Sequence, residues 1–177
     1  MMNRILCLAL PLLVLVSCTT SRVERQTTAP TATSPVPAAT FDVTREIIAG
    51  QSIYVPIYSH IYVRDKSSII NLTATLSIRN TDAKNGIRVS AVRYYGTHGT
   101  LVREYLTEPL QLGPMASADY VVAEDDTSGG AGANFIVEWE ATDTVTAPVV
   151  EAVMISTASQ QGISFLSAGR VIKDRGR

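Results

Sequence analysis

From Ile70 to Arg79 apolar and polar residues alternate without a break. Ile70, Leu72, Ala74, Leu76 and Ile78 fall on one side, and Asn71, Thr73, Thr75, Ser77 and Arg79 on the other. A period of two is the mark of an extended strand with one buried and one wet face. Asn80-Thr81-Asp82 and Asn85-Gly86 then supply turn chemistry. The next strand opens with Ile87, Val89 and Ala91 on one face, after which the apolar set moves to Val92 and Tyr94. Continuing the old register would turn that set to water, so a β-bulge is predicted near Ala91 and Val92. Gly96 to Gly99 is a turn, and Leu101 to Leu106 returns as a hairpin partner. Ala118 to Ala123, Phe135 to Ala141, Val149 to Thr157 and Ile163 to Ile172 read as further strands. In the second of these Phe135, Val137, Trp139 and Ala141 point inward, with Glu138 and Glu140 outward. No window of eleven or more residues carries a helical period. The pattern predicts an all-β fold, a single antiparallel β-sandwich of immunoglobulin-like type.

The N-terminus breaks this pattern. Arg4 precedes an almost wholly apolar run from Ile5 to Val16. As a helix those residues span about 18 Å, short of a hydrocarbon core of about 30 Å, so the run reads as a signal-peptide core. It ends in Leu15-Val16-Ser17-Cys18, the form of a bacterial lipobox. The expectation is cleavage before Cys18 and acylation of that cysteine, since two or three chains anchor stably at about 0.8 kcal/mol per buried CH₂. Thr19, in place of an Asp, points to the outer membrane if the source is Gram-negative. Cys7 leaves with the signal, so neither a disulfide nor a thiol-based site remains in the processed chain.

Residues 19 to 40 contain sixteen Thr, Ala, Pro or Ser among 22 positions, with Pro30, Pro35 and Pro37 breaking any helix. They read as a flexible tether reaching roughly 25 Å. The expected organisation is therefore a signal peptide over 1–17, a lipidated cysteine and linker over 18–40, and one β-sandwich over 41–177. A hydrophobic share of 46% and a formal net charge of −1 fit a globular chain. They lack the basic surplus of a nucleic-acid binder.

The runs Tyr54 to Tyr62, Leu72 to Asp82, Gly132 to Trp139, Val149 to Ile155 and Gln160 to Ile172 carry a resemblance. In order and spacing they resemble the bacterial family catalogued as domain of unknown function 3124. That resemblance implies a secreted protein or lipoprotein, and it brings neither an activity nor functional residues.

Extended, Ile53 to Tyr62 would place Tyr54, Pro56, Tyr58, His60 and Tyr62 on one side. Rings with polar tips suit a sugar or peptide platform. Pro56 cannot donate to a ladder, which predicts an edge or a bulge there. Glu124-Asp125-Asp126 followed by Thr127 to Gly132 reads as a mobile hairpin loop, the part of a sandwich best placed for specific contacts. The candidate binding surface is thus Tyr54, Tyr58, His60, Tyr62, Asp125, Asp126 and Asn134. The two histidines, His60 and His98, stand on separate elements without metal-ligand spacing, and no cofactor or metal is assigned. Glu138 and Glu140, roughly 7 Å apart, have the separation of paired glycosidase carboxylates but also the simple pattern of outward strand positions. Arg170, Lys173, Arg175 and Arg177 form a basic terminus expected to be a solvated tail.

These features lead to the expectation of a lipid-anchored envelope protein that binds or assembles and does not catalyse. Its partners would be the membrane, through Cys18, and a protein or glycan of the envelope, with no nucleic acid. An envelope hydrolase using Glu138, Glu140, His60 or His98, and a structural component self-associating through an edge strand, are the alternatives.

Overall fold

The computed structural model describes residues 44–158 and 162–175. The signal peptide, Cys18 and the linker over 18–40 lie outside them. Among the described residues no helix is long and apolar enough to cross a membrane.

The described residues form twelve strands: β1 (Ala49–Pro56), β2 (His60–Tyr62), β3 (Ile69–Asn71), β4 (Thr73–Arg79), β5 (Ile87–Tyr95), β6 (Leu101–Glu104), β7 (Leu110–Leu112), β8 (Ser117–Val122), β9 (Asn134–Ala141), β10 (Val149–Ser156), β11 (Ile163–Ala168) and β12 (Arg170–Arg175). One sheet runs β12-β1-β9-β5-β6, with β7 also on β5. The other runs β11-β10-β4-β8, and β2 with β3 forms a separate small hairpin. All pairings are antiparallel. The result is the all-β sandwich that the alternation predicts. Its immunoglobulin-like qualifier stays an expectation.

The inward residues follow the period of two. Leu72, Ala74, Leu76 and Ile78 meet Val89, Val92, Tyr94, Phe135, Val137 and Met154 in one core, each essentially closed to water. Burial of each large side chain contributes about 1.5–3 kcal/mol. The bulge in β5 is present one residue before its predicted place. Val89 pairs with Trp139 and Ala91 with Glu138, leaving Ser90 as the extra residue, so the apolar set changes parity and Val92, opposite Val137, reaches the core while Ala91 is buried beside Glu138.

Several sequence expectations are corrected. The run Ile163 to Ile172 is two strands in two sheets: β11 pairs with β10, and β12 with β1. The switch occurs at Gly169, whose N–H donates to the Val150 carbonyl at 2.8 Å. A Cβ there would stand 2.6 Å from both Ile53 Cγ2 and the Val150 carbonyl oxygen, which excludes a side chain. The basic residues Arg170, Lys173 and Arg175 belong to paired β12, not to a frayed tail, while Arg177 lies outside the described residues. β1 is an inner strand between β12 and β9, not an edge. Pro56 is tolerated as its last residue, opposite Asn134, where pairing to β12 has already ended at Tyr54.

Candidate functional site

The aromatic stripe does not form one platform. Tyr54 lies on β1, opposite Ile136 and Arg170. After Pro56 the ladder is interrupted until His60, where the chain enters the separate β2–β3 hairpin, although burial keeps its period of two through Ile57 and Ser59. Tyr58 is thrown outward against Phe165 of β11, ring edge to ring face at 5.9 Å. His60 and Tyr62 continue on β2, their rings 5.5 Å apart and steeply inclined. The break turns a period-two surface into three separate patches.

The acidic loop is tied to neighbouring elements by hydrogen bonds. Asp126 accepts from the hydroxyl and the N–H of Ser128, and its other oxygen takes a 3.0 Å bond from Arg103. The Ser128 hydroxyl, with help from Arg103, holds its carboxyl below the usual carboxylate range. Thr97 Oγ1 donates to the Gly129 carbonyl and accepts from the Gly132 N–H, both at 2.9 Å. Ser59 Oγ donates to the Gly130 carbonyl at 3.0 Å. Asp126 is thus a structural strut, and Arg103 lies over the Tyr105 ring at 5.4 Å. Burial pushes the Tyr94, Tyr105 and Tyr120 hydroxyls up in pKa. Asn134 opens β9 between Pro56 and Tyr95 as a ladder residue.

Asp125 faces elsewhere. With Glu124 it lines a shallow groove of about 570 Å³, completed by Ile69, Ile70 and Asn71 of β3 and by Ala158. Asn71 pairs across the hairpin with His60. Asn71 Oδ1 and His60 Nδ1 are both buried and take no protein hydrogen bond. Glu124 is lightly held by the Ser156 hydroxyl at 3.5 Å. Two carboxylates and an amide beside two isoleucines suit a ligand group that donates hydrogen bonds or carries positive charge above an apolar base. Of the seven candidate residues, then, Asp125 lines the groove and His60 adjoins it through Asn71. Asn71, Ile69 and Ile70 were legible only as strand residues. Asp65 and Ser67, which close the β2–β3 turn through bonds of 2.6 and 2.9 Å, are the sequence signal that a separate hairpin begins there.

Of the residues weighed for catalysis only Glu138 and Glu140 share an element, β9. Glu138 is bound by Arg93 at 3.2 Å, which also holds Glu104 at 2.9 Å. Glu140, read from the sequence as outward and wet, is outward but buried under Arg88, whose Nε donates to it at 2.6 Å. His98 sits exposed in the β5–β6 turn. Among the described residues no three His, Cys, Asp or Glu side chains gather as a metal would require.

Residues 50–172 match the model of a family described as Protein of unknown function, DUF3124. No curated protein matches the chain significantly. Among solved structures, the crystal structure of Thermotoga maritima 1070 is similar at 10% identity and a TM-score of 0.39, covering 68% of this chain and 92% of that one.

Proposed function

Since the chain belongs to the DUF3124 family, whose description leaves its role open, we propose from its own residues that it is a lipid-anchored protein of the cell envelope that acts by binding. Cys18, at the end of the Leu15-Val16-Ser17-Cys18 box, is the anchor, and the absence of an Asp at position 19, where Thr19 stands, favours the outer membrane if the source is Gram-negative. The tether up to residue 40 gives the sandwich roughly 25 Å of reach.

One observation carries the binding reading: the groove between β3 and the Glu124-Asp125 loop. There Asn71 Oδ1, a buried polar atom without a protein partner, stands beside carboxylates and apolar surface, and the unpartnered His60 Nδ1 belongs to the residue across the hairpin from it. Buried polar atoms without partners cost free energy, and a ligand that pairs with them recovers it. The partner class is an envelope protein or glycan segment bearing N–H, O–H or ammonium donors. Binding is favoured over hydrolysis because Glu138 and Glu140 are each tied to an arginine on a continuous sheet face. Affinity capture after crosslinking in the native envelope tests this. Wild type should retain a partner that Asp125→Ala and Asn71→Ala lose; unchanged partners in both variants would overturn the reading.

A further inference from the structure

The two outer faces of the sandwich differ in kind. Outside the β12-β1-β9-β5-β6 sheet lie ion pairs, Arg93 with Glu104 and Glu138, and Arg88 with Glu140. Outside the β11-β10-β4-β8 sheet the ladder register sets a row of Val121, Thr75, Val153 and Leu166 straight across all four strands. Ile155 extends it along β10, and Val149 lies on the same strand beyond Glu151. The five aliphatic side chains are 38–56% exposed, although the central strands β4 and β10 bury their other faces almost completely. Exposed aliphatic residues gathered on one sheet face, with Thr75 among them and Ser77, Arg79, Asp119 and Glu151 around them, mark an interaction surface.

We propose that this face stacks on the same face of a second copy of the chain. The surface is self-complementary about a twofold axis parallel to the strands. Such an axis keeps each row opposite itself and reverses the strand order, so β4 meets β10 and β8 meets β11. Val121 then faces Leu166 of the second copy, and Thr75 faces its Val153. One row further, Glu151 lies opposite Ser77 and diagonal to Arg79, so the Arg79–Glu151 pair, 3.5 Å apart within one chain, can be shared between the two. The contact is isologous, with every residue used twice, and two sheets packed face to face sit about 10 Å apart. Other occupants fit less well. The described outward positions of these strands carry no aromatic ring on which a sugar would stack. Arg79 is their single cation, beside Asp119 and Glu151, which gives anionic lipid nothing to hold.

This proposal stands apart from the groove, which opens at the β2–β3 hairpin. The test places a photo-crosslinking residue at position 153 of the full chain in its native envelope, with positions 138 and 172 as comparison sites. The expected result is an adduct of twice the chain mass from position 153, with the crosslinked peptide mapping to Thr73–Arg79 of the second copy, and none from position 138. Val153→Lys should convert the detergent-solubilised chain from two copies to one in sedimentation velocity, with its circular dichroism unchanged. Asp125→Ala should leave the dimer intact, so the groove and the face succeed or fail separately. A one-copy wild-type mass, a dimer that survives Val153→Lys, or self-adducts only from position 172 on the β12 edge would each overturn the proposal.

Discussion

The hydroxyl of Tyr94, on β5, occupies the space that a side chain at Gly129 would need. The glycine-rich loop can lie against the core only because that residue has no Cβ. The Ala133 Cβ, 2.8 Å from the same point, closes the space from the other side. Gly129→Ala should destabilise the domain by about 1–3 kcal/mol, the usual cost of overpacking. Tyr94→Phe in the same chain should recover part of the loss, a coupling that a double-mutant cycle by denaturant unfolding will read.

Arg88 and Glu140 cover the outer side of the first sheet beside Gly50, where a Cβ would lie 2.8 Å from the Trp139 carbonyl oxygen. Glu140 is only 6% exposed, so removing its partner strands a charge. Arg88→Ala should cost about 3 kcal/mol, and adding Glu140→Met to it should restore most of that stability. Chemical denaturation of the single and double variants checks both.

Gly169→Ala should separate the two sheets at their shared strand run. The added methyl meets Ile53 and the Val150 carbonyl, and a loss of about 1–3 kcal/mol is expected. For a domain of this size that corresponds to a fall in Tm of at least several degrees by calorimetry.

Acid should weaken the fold through Asp82 and Asp126. The N–H groups of Asn85, then Thr146 and Lys84, hold the Asp82 carboxyl below its ordinary 3.8; the Ser128 hydroxyl does the same for Asp126. A carboxylate whose folded pKa is depressed contributes stability that is present above its unfolded value and lost as pH falls through the folded one. Stability should therefore be flat near neutrality and decline below about pH 4. Asp82→Asn should be less stable at pH 7 and show a shallower decline in a pH series of urea melts.

The anchor has its own consequence. Cys18→Ala should move the protein from the membrane pellet to the soluble fraction, read by fractionation and immunoblot; continued association with the pellet would contradict lipid attachment at that residue.

Much of the sandwich was legible because its signal is local. Leu72 to Ile78 and Phe135 to Ala141 alternate so cleanly that burial dictates their faces. What escaped depended on partners distant in sequence. Nothing around Gly169 says that the chain changes sheets, since the reason lies in Ile53 and Val150. The aromatic stripe is divided because the chain leaves β1 after Pro56 and enters a different sheet at His60, a change that the unbroken alternation through Ile57 and Ser59 conceals. The hydrogen bonds of the glycine-rich loop escaped because Thr97 and Ser59, which hold its carbonyls, are dozens of residues away. Glu140 looked wet because Arg88 is 52 positions from it. Of the site, Asp125 was found from its acidic run. Asn71 was hidden inside the alternation, because the hairpin that lifts it out of β4 leaves only a turn signature at Asp65 and Ser67.

The binding role is tested most directly by placing a photo-crosslinking residue at position 125 and illuminating the chain in its native envelope. An adduct with one envelope component, abolished by Asn71→Ala and absent from a probe at position 138, is the predicted result. No adduct from position 125, or the same adduct from both positions, would contradict it.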